Sequence, residues 1–412
     1  MDDQRSRQIV IAGAGVAGLT AALAFARRGF PVQVFEQAPR LEAVGAGLQL
    51  SPNATRILRD LGVLDRLLPA TVRPEAVVLK DARTLRQLAR VPLGQSGESR
   101  WGAPYLVAHR ADLQSALTAC VAEMPDIHLT LGARVENIAT GSHGVTATVE
   151  IGGKTAEEQG SLLVGADGVW SSVRGLVDAR RMASPRSRFS GELAWRTTVA
   201  ADSSAGQAFA AIGAADCVTT FLHPGFHMVA YPVSKGDAFN LVAFTKGERI
   251  AEGWSGRADP DILAAAMRDT APELVKLVEE AGPWLTWPLH TVEQKQPWTM
   301  PAGIALIGDA AHAMTPFAAQ GGAMAIEDAA MLATLVADFP ADPRQSLIIW
   351  ENLRRPRVEK VLKRGALNRL AWHARGPVAL ARNLVLATRP AQKLAADLDW
   401  LYGWEEPKVA RR

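Results

Sequence analysis

Ile9 to Ala12 is continuously apolar, and Gln8–Ala12 reads as a parallel strand buried on both faces. Ala17–Arg28 predicts a helix that Gly29 stops. Val32–Glu36 is the next strand, which completes a βαβ unit. Pro52–Leu61 and Arg110–Glu123 predict helices, closed by Gly62 and Pro125. Leu129–Ile138 and Gly144–Ile151 predict strands around a turn, and Leu162–Ala166 predicts another buried strand. From Glu192 to Phe244 the pattern is strand-like, with turns at Pro224-Gly225 and Lys235-Gly236. Asp259–Ala281 is helical, Ile304–Ile307 is a buried strand, and a helix runs from about Gly322 to Asp338. Beyond Asp342 the pattern is mostly helical. This order predicts an α/β fold, in which a Rossmann-like nucleotide-binding domain is interrupted by a mostly β second domain and followed by a C-terminal helical region.

Composition narrows the class. A chain of 412 residues, 48% apolar and 21% charged, suits roughly two to three domains with a large core. It excludes disorder, collagen and coiled coil as the main state. The 45 basic and 42 acidic residues sum to +3, which gives no argument for a nucleic-acid partner. Cys120 and Cys217 are the only cysteines and form no C-x-x-C. A disulfide framework is therefore not expected, and a reducing compartment, the cytoplasm, is. Ile9 to Ala26 is uncharged and lies between Arg5, Arg7 and Arg27, Arg28, which raises a signal peptide or a membrane anchor. Asp2 and Asp3 weaken the positive flank, and the glycines and following strand favour a folded unit. No other segment is apolar for long enough to span a bilayer, so no membrane partner is expected.

Gly13-Ala14-Gly15-Val16-Ala17-Gly18 matches G-x-G-x-x-G between a strand and a helix. The first glycine permits a tight turn, the second lets a pyrophosphate approach the backbone, and the third lets helix and strand pack closely. Glu36 ends the second strand, where an acid can bind ribose hydroxyls. These residues indicate a dinucleotide and leave FAD and NAD open. Two later segments, Gly165-Ala166-Asp167-Gly168 with Ser171, Ser172 and Arg174, and Gly308-Asp309-Ala310-Ala311-His312 before Pro316, each put an acid after a buried strand. Each acid reads either as a helix cap or as an acceptor for a polyol chain.

With these segments the chain resembles the FAD-dependent aromatic hydroxylases, the single-component flavoprotein monooxygenases typified by salicylate hydroxylase, 3-hydroxybenzoate 6-hydroxylase and 6-hydroxynicotinate 3-monooxygenase. The resemblance extends through FEQAP at Glu36, GAGLQLSPNA from Gly45 to Ala54, HRADL around Arg110, AQGGAMAIEDAAML from Ala319 to Leu332 and LDWLYGW from Leu398 to Trp404. It implies an FAD-binding domain from segments 1–78, 105–182 and 295–340, a substrate domain from 79–104 and 183–294, and a helical region 341–412. It implies non-covalent FAD held by Gly13, Gly15, Ala17 and Gly18, with Glu36 at the adenosine ribose and Gln37 beside it. Asp309 would meet the ribityl chain, Arg110 the phosphate and ribityl region, Val135 the adenine through its backbone, and Leu48 the isoalloxazine. Asp167, with Arg174, would belong to a motif shared by FAD and NAD(P)H. Gly321, Gly322 and Ala323 would present a helix N-terminus to the flavin pyrimidine edge, where amides favour the reduced state.

The implied activity is NAD(P)H-consuming hydroxylation of a phenolic or related aromatic acid by dioxygen, through a flavin C4a-hydroperoxide. Phe226–Pro232 reads as one strand, with His227 and Tyr231 on one face. The family places such a pair by its substrate, which makes His227 the candidate base and Tyr231 its companion. Phe317 stands where the hydroxynicotinate relatives carry a polar residue and implies an apolar wall. Arg196, after Trp195, reads first as a solvated charge on a packed strand. His223 and His227 form no convincing metal pair, since no Asp or Glu lies near them and the chemistry needs no metal. A monomer or homodimer is expected. The alternatives are another reaction on the same fold (epoxidase, halogenase or dehydrogenase) and a flavin-binding protein without turnover. The halogenase motif W-x-W-x-I-P is absent.

Overall fold

The computed structural model describes residues 7–41, 47–141, 144–177, 187–248, 256–257, 260–339 and 343–408. Gly45, Asp259 and Asp342 lie outside the described residues, as do the terminal charges Asp2, Asp3, Arg5, Arg411 and Arg412. A central sheet has the order β18 (Thr299–Met300), β19 (Ile304–Leu306), β11 (Leu162–Gly165), β1 (Ile9–Ala12), β2 (Val32–Glu36), β7 (Ile127–Leu131). All its pairs are parallel except β18 with β19. Every residue of β1 and β11 is buried, as their apolar runs predict for strands with neighbours on both edges. The helix Val16–Ala26 follows β1, and the helix Gly321–Asp338 packs along it.

A second sheet of eight strands has the order β16 (Gly256–Arg257), β17 (Leu285–Thr291), β12 (Arg188–Ala200), β15 (Ala238–Lys246), β14 (Phe226–Val233), β13 (Val218–Leu222), β4 (Ala76–Asp81), β5 (Gln87–Pro92). Strand β4 begins at Ala76, ahead of residue 79, where the second domain is expected to begin. One face of this sheet, with Trp195, Phe221, Met228 and Leu241, packs on the helices Ser204–Ile212 and Pro272–Glu280. The alternate residues point the other way, over the site. A two-stranded ribbon, β3 (Gly47–Leu50) with β6 (Leu106–His109), connects the two sheets. A three-stranded sheet, β8 (Ala133–Gly141), β9 (Gly144–Ile151) and β10 (Lys154–Gly160), lies beside the first.

Three elements depart from the pattern reading. Gly132, at φ +64°, divides Leu129–Ile138 into β7 and β8. A helix, Ser204–Ile212, interrupts the strand-like stretch, and its N-cap Ser203 accepts from the Gly206 amide at 3.1 Å. The helical run after Asp259 is two helices, Pro260–Ala266 and Pro272–Glu280, separated near Asp269 at φ +67°. The C-terminal region contains the helices Pro343–Trp372, Gly376–Thr388, Ala391–Ala396 and Asp399–Tyr402.

Candidate active site

The glycine turn is built as its sequence requires. Gly13 has φ +103°, and a Cβ there would lie 2.6 Å from the Ala166 carbonyl oxygen. A Cβ on Gly18 would lie 1.9 Å from the Gly13 carbonyl oxygen. At Gly15 a Cβ would meet nothing within 4 Å, so that space is open to a ligand above the helix N-terminus. Ala17 lies against Gly308 of the later fingerprint. The Glu36 carboxylate accepts the amides of Ala14 at 2.7 Å and Ala38 at 2.9 Å, which ties the turn to the end of β2. Gln37 beside it is exposed.

A cleft of about 480 Å³ runs from Gly15 and Ala17, past Leu48 and Arg110, to the second sheet. Asp309 lines it as the first residue of a short helix, exposed rather than buried, and no protein group bonds its carboxylate among the described residues. Gly321 and Gly322 also line it, at the start of an 18-residue helix whose first turn has no side-chain cap. Ala323 is buried just behind them. Asp167 turns one carboxylate oxygen to the amides of Ser172 and Val173, at 2.8 and 3.2 Å, and leaves the other buried without a partner. Arg174 donates to the carbonyls of Ala310 and Val169. Val135, at a bulge in β8, does not line the cleft. The amides at the helix N-termini by Gly15 and Gly321, with the carboxylate of Asp309 in the same lining, suit the phosphates and polyol of FAD.

At its far end the cleft is floored by one row of the eight-stranded sheet. Cross-strand register aligns Arg196, Val242, Val229, Thr220 and Leu79, and all five line the cleft. Phe244, Phe317 and Trp372 supply aromatic walls, so Phe317 meets the expectation of an apolar surface. Arg196 is the exception in this floor. Its Nε is fully buried without a hydrogen-bond partner, and its guanidinium has no ion pair among the described residues. It lies 5.6 Å from the Trp287 ring. Burial draws its pKa down from the ordinary arginine value, the Tyr231 side chain opposes this, and Arg110 adds to it. The reading of Arg196 as a solvated surface charge is therefore corrected: the side chain is turned into the cleft.

Tyr231 lines the cleft next to Gly47, where a Cβ would lie 2.7 Å from its ring. Burial raises its phenol pKa well above the ordinary value. His227 is on the same face of β14 by alternation but does not line the cleft. It is 1% exposed, stacks on Phe244 at 4.5 Å, and touches Phe317 and Trp372. Its Nδ1 shares a hydrogen bond with His373 Nε2 at 3.1 Å. Burial, and then His373, push the His227 pKa well below the usual histidine range. Burial likewise lowers His373 to about 4.

Beneath the cleft lies a fully buried ionic cluster that pattern reading did not single out. Asp328 accepts from the Gly308 amide at 2.9 Å, pairs with His312 Nε2 at 2.6 Å and with Arg354 Nε at 2.7 Å. Glu327 takes Arg354 at 2.6 Å, Arg357 at 2.8 Å and the Asn53 amide at 2.6 Å. Burial alone would raise the Asp328 carboxyl, but His312, Arg354 and the Gly308 amide outweigh it and hold the pKa at about 2. The cluster fixes the turn that presents Asp309. An Asp and a Glu side by side in an otherwise apolar helix, with RRPR further on, were its available signal. Arg364 and Asn368 of the C-terminal helices also line the cleft, and no local motif marks them, whereas Leu401 and Tyr402, which line it too, fall in the LDWLYGW segment.

The family model for the FAD binding domain matches residues 6–365. The chain is 33% identical over 406 residues to a 3-amino-4-hydroxybenzoate 2-monooxygenase of Streptomyces platensis, with 98% of each chain covered. It is 31% identical over 407 residues to 3-hydroxybenzoate 6-hydroxylase 1 of Aquipseudomonas alcaligenes, covering 96% of this chain and 98% of that one. Among solved structures, a substrate complex of salicylate hydroxylase superposes with a TM-score of 0.80 at 21% identity, over 98% and 99% of the two chains. A fingerprint turn, a free Asp309 and an aromatic cleft on one chain, with relatives at this level, lead to one assignment: the chain belongs to the FAD-binding-domain family and is an FAD-dependent aromatic monooxygenase.

Proposed function

We propose that the substrate is a ring-hydroxylated or amino-substituted aromatic carboxylate, with its carboxylate at Arg196 and its ring between Val229, Phe244 and Phe317. The observation that carries this reading is the Arg196 guanidinium, without an ion pair among the described residues, in a floor that has no other charged side chain. A half-buried cation whose Nε is shut off from water and has no partner is costly, and a bidentate carboxylate is the ligand that best relieves it. The relatives named for aminohydroxybenzoate and hydroxybenzoate substrates support the same class. FAD reduced by NAD(P)H supplies activated dioxygen for insertion into the ring. The protein positions the ring and excludes water with Phe244, Phe317 and Trp372, while Gly321 and Gly322 offer amides to the cofactor. Tyr231 is the polar group of β14 that meets the substrate. His227 acts as a positioning residue, behind the wall, through Phe244 and Phe317. As a base it is weakened by its lowered pKa and by the aromatic lining that stands between it and the cleft.

The test is a panel of benzoates and the matching phenols without the carboxylate, with NAD(P)H consumption, peroxide and product measured together. Arg196→Gln should raise KM for the benzoates about 10- to 150-fold, the range for a hydrogen bond to a charged group, and leave the phenols unaffected. His227→Phe should keep the pH–rate profile of the wild type. Equal losses on benzoates and phenols in Arg196→Gln would remove the carboxylate assignment, and a lost titration step in His227→Phe would restore this histidine as the base.

A further inference from the structure

The helix Gly376–Thr388 buries none of its residues fully. Its inward side carries Asn383, which donates to Asp81, and Arg382, which donates to the carbonyls of Ala371 and Trp372. Arg382 is the only charged residue of this helix. The outward arc therefore has no charge at all. Val378, Leu380, Leu384 and Val385 lie there, 63%, 70%, 66% and 57% exposed, outside the half-buried arc of Ala379, Arg382, Asn383 and Leu386, with Leu380 and Leu384 farthest from Arg382 on the helical period. Leu367 and Leu370, at the end of the preceding helix, are 57% and 70% exposed. Single exposed aliphatics are ordinary, whereas a helix face made only of them marks an interaction surface.

Charge indicates what covers it. Between Glu359 and Asp397 the chain carries eight lysines and arginines and no acid, and two of the eight are paired, Arg369 with Glu192 and Arg389 with Asp397. The whole chain is +3, so the remainder has five more acids than bases. Arg375 stands just before the helix and Lys393 within the next helix, Ala391–Ala396, both exposed and without an ion pair among the described residues. A second copy meeting this face in a two-fold contact would set one acid-free segment against another. A surface that is apolar in its depth and anionic at its boundary complements the segment instead.

We propose that this face docks on an anionic lipid bilayer, with Leu380 and Leu384 at the acyl boundary and Arg375 and Lys393 among the headgroups. No described helix is long and apolar enough to cross a membrane, and docking in the interface needs only one apolar face. None of Val378, Leu380, Leu384 or Val385 lines the cleft, so the surface is separable from catalysis.

The experiment is flotation of the FAD-loaded full chain with vesicles of phosphatidylcholine alone or of phosphatidylcholine mixed with phosphatidylglycerol. The expected result is flotation with the mixed vesicles, lost at high salt, and none with phosphatidylcholine alone. Leu380→Glu with Leu384→Glu should cut flotation about tenfold or more, with hydroxylation in solution unchanged. Arg375→Glu with Lys393→Glu should do the same without touching an apolar residue. Absence of flotation, or flotation equal in the variants and the wild type, would overturn the proposal. A wild-type dimer that Leu380→Glu with Leu384→Glu converts to a monomer in sedimentation would identify the face as a self-interface instead.

Discussion

Asp309 faces the cleft and is hardly used by the fold. It is exposed, and no protein group bonds its carboxylate among the described residues. Asp309→Ala should leave the melting temperature of the FAD-free chain unchanged, because no internal contact is removed. It should raise the FAD dissociation constant about 10- to 150-fold, the equivalent of about 1.5–3 kcal/mol for a hydrogen bond to a charged group. Flavin fluorescence titration reads this directly, and wild-type affinity in the folded variant would reduce Asp309 to the start of a short helix. At Asp309 the local pattern left a helix cap and a polyol acceptor both open. The glycine turn was legible because its chemistry is local: a strand, a turn and a helix follow one another in a few residues. Arg196 was not. Whether its guanidinium faces water or the cleft depends on what β14, β15 and the aromatic walls place over it, and those come from distant parts of the chain.

Among the elements, the helices Gly321–Asp338 and Pro343–Trp372 are joined by buried charge rather than by apolar packing alone. Glu327 and Asp328 are 0% exposed, and Arg354 is 1% exposed. Removing one partner leaves the other charges buried and uncompensated, so Arg354→Met should cost about 3–5 kcal/mol in equilibrium unfolding. Asp328→Asn with Glu327→Gln in the Arg354→Met background should recover part of that loss, and no recovery would argue against charge as the cause. The Asp328 carboxyl is held at about 2, below its ordinary 3.8. Its contribution is therefore complete above that ordinary value and is lost as pH falls toward 2. Elements with one clear burial pattern were legible, as β1, β11 and β14 show. The helix Ser204–Ile212 was hidden in a stretch of strand-like neighbours. Strand β10 was missed because its Lys154–Gly160 residues are mostly exposed and polar, and it is held by pairing with β9 instead of by a core.

For the whole molecule, the cleft draws its lining from Gly15 at one extreme of the chain and from Leu398, Leu401 and Tyr402 at the other. The late residues are fastened firmly: Arg357 donates to the carbonyls of Trp400 and Leu401 at 2.7 and 2.9 Å, Arg100 pairs with Asp399 at 2.6 Å, and Tyr402 packs on Trp101 at 4.9 Å. Deleting residues 397–412 should leave the far-ultraviolet circular dichroism nearly unchanged and abolish tight FAD retention. A truncated protein that stays yellow through gel filtration would contradict this. The same arrangement sets an order on biosynthesis. A ribosome that has delivered the glycine turn must add the whole stretch from Gly18 to Tyr402 before the opposite wall exists. Chains that stop short of it thus lack a closed berth for the coenzyme, and colour becomes a record of translation past Tyr402.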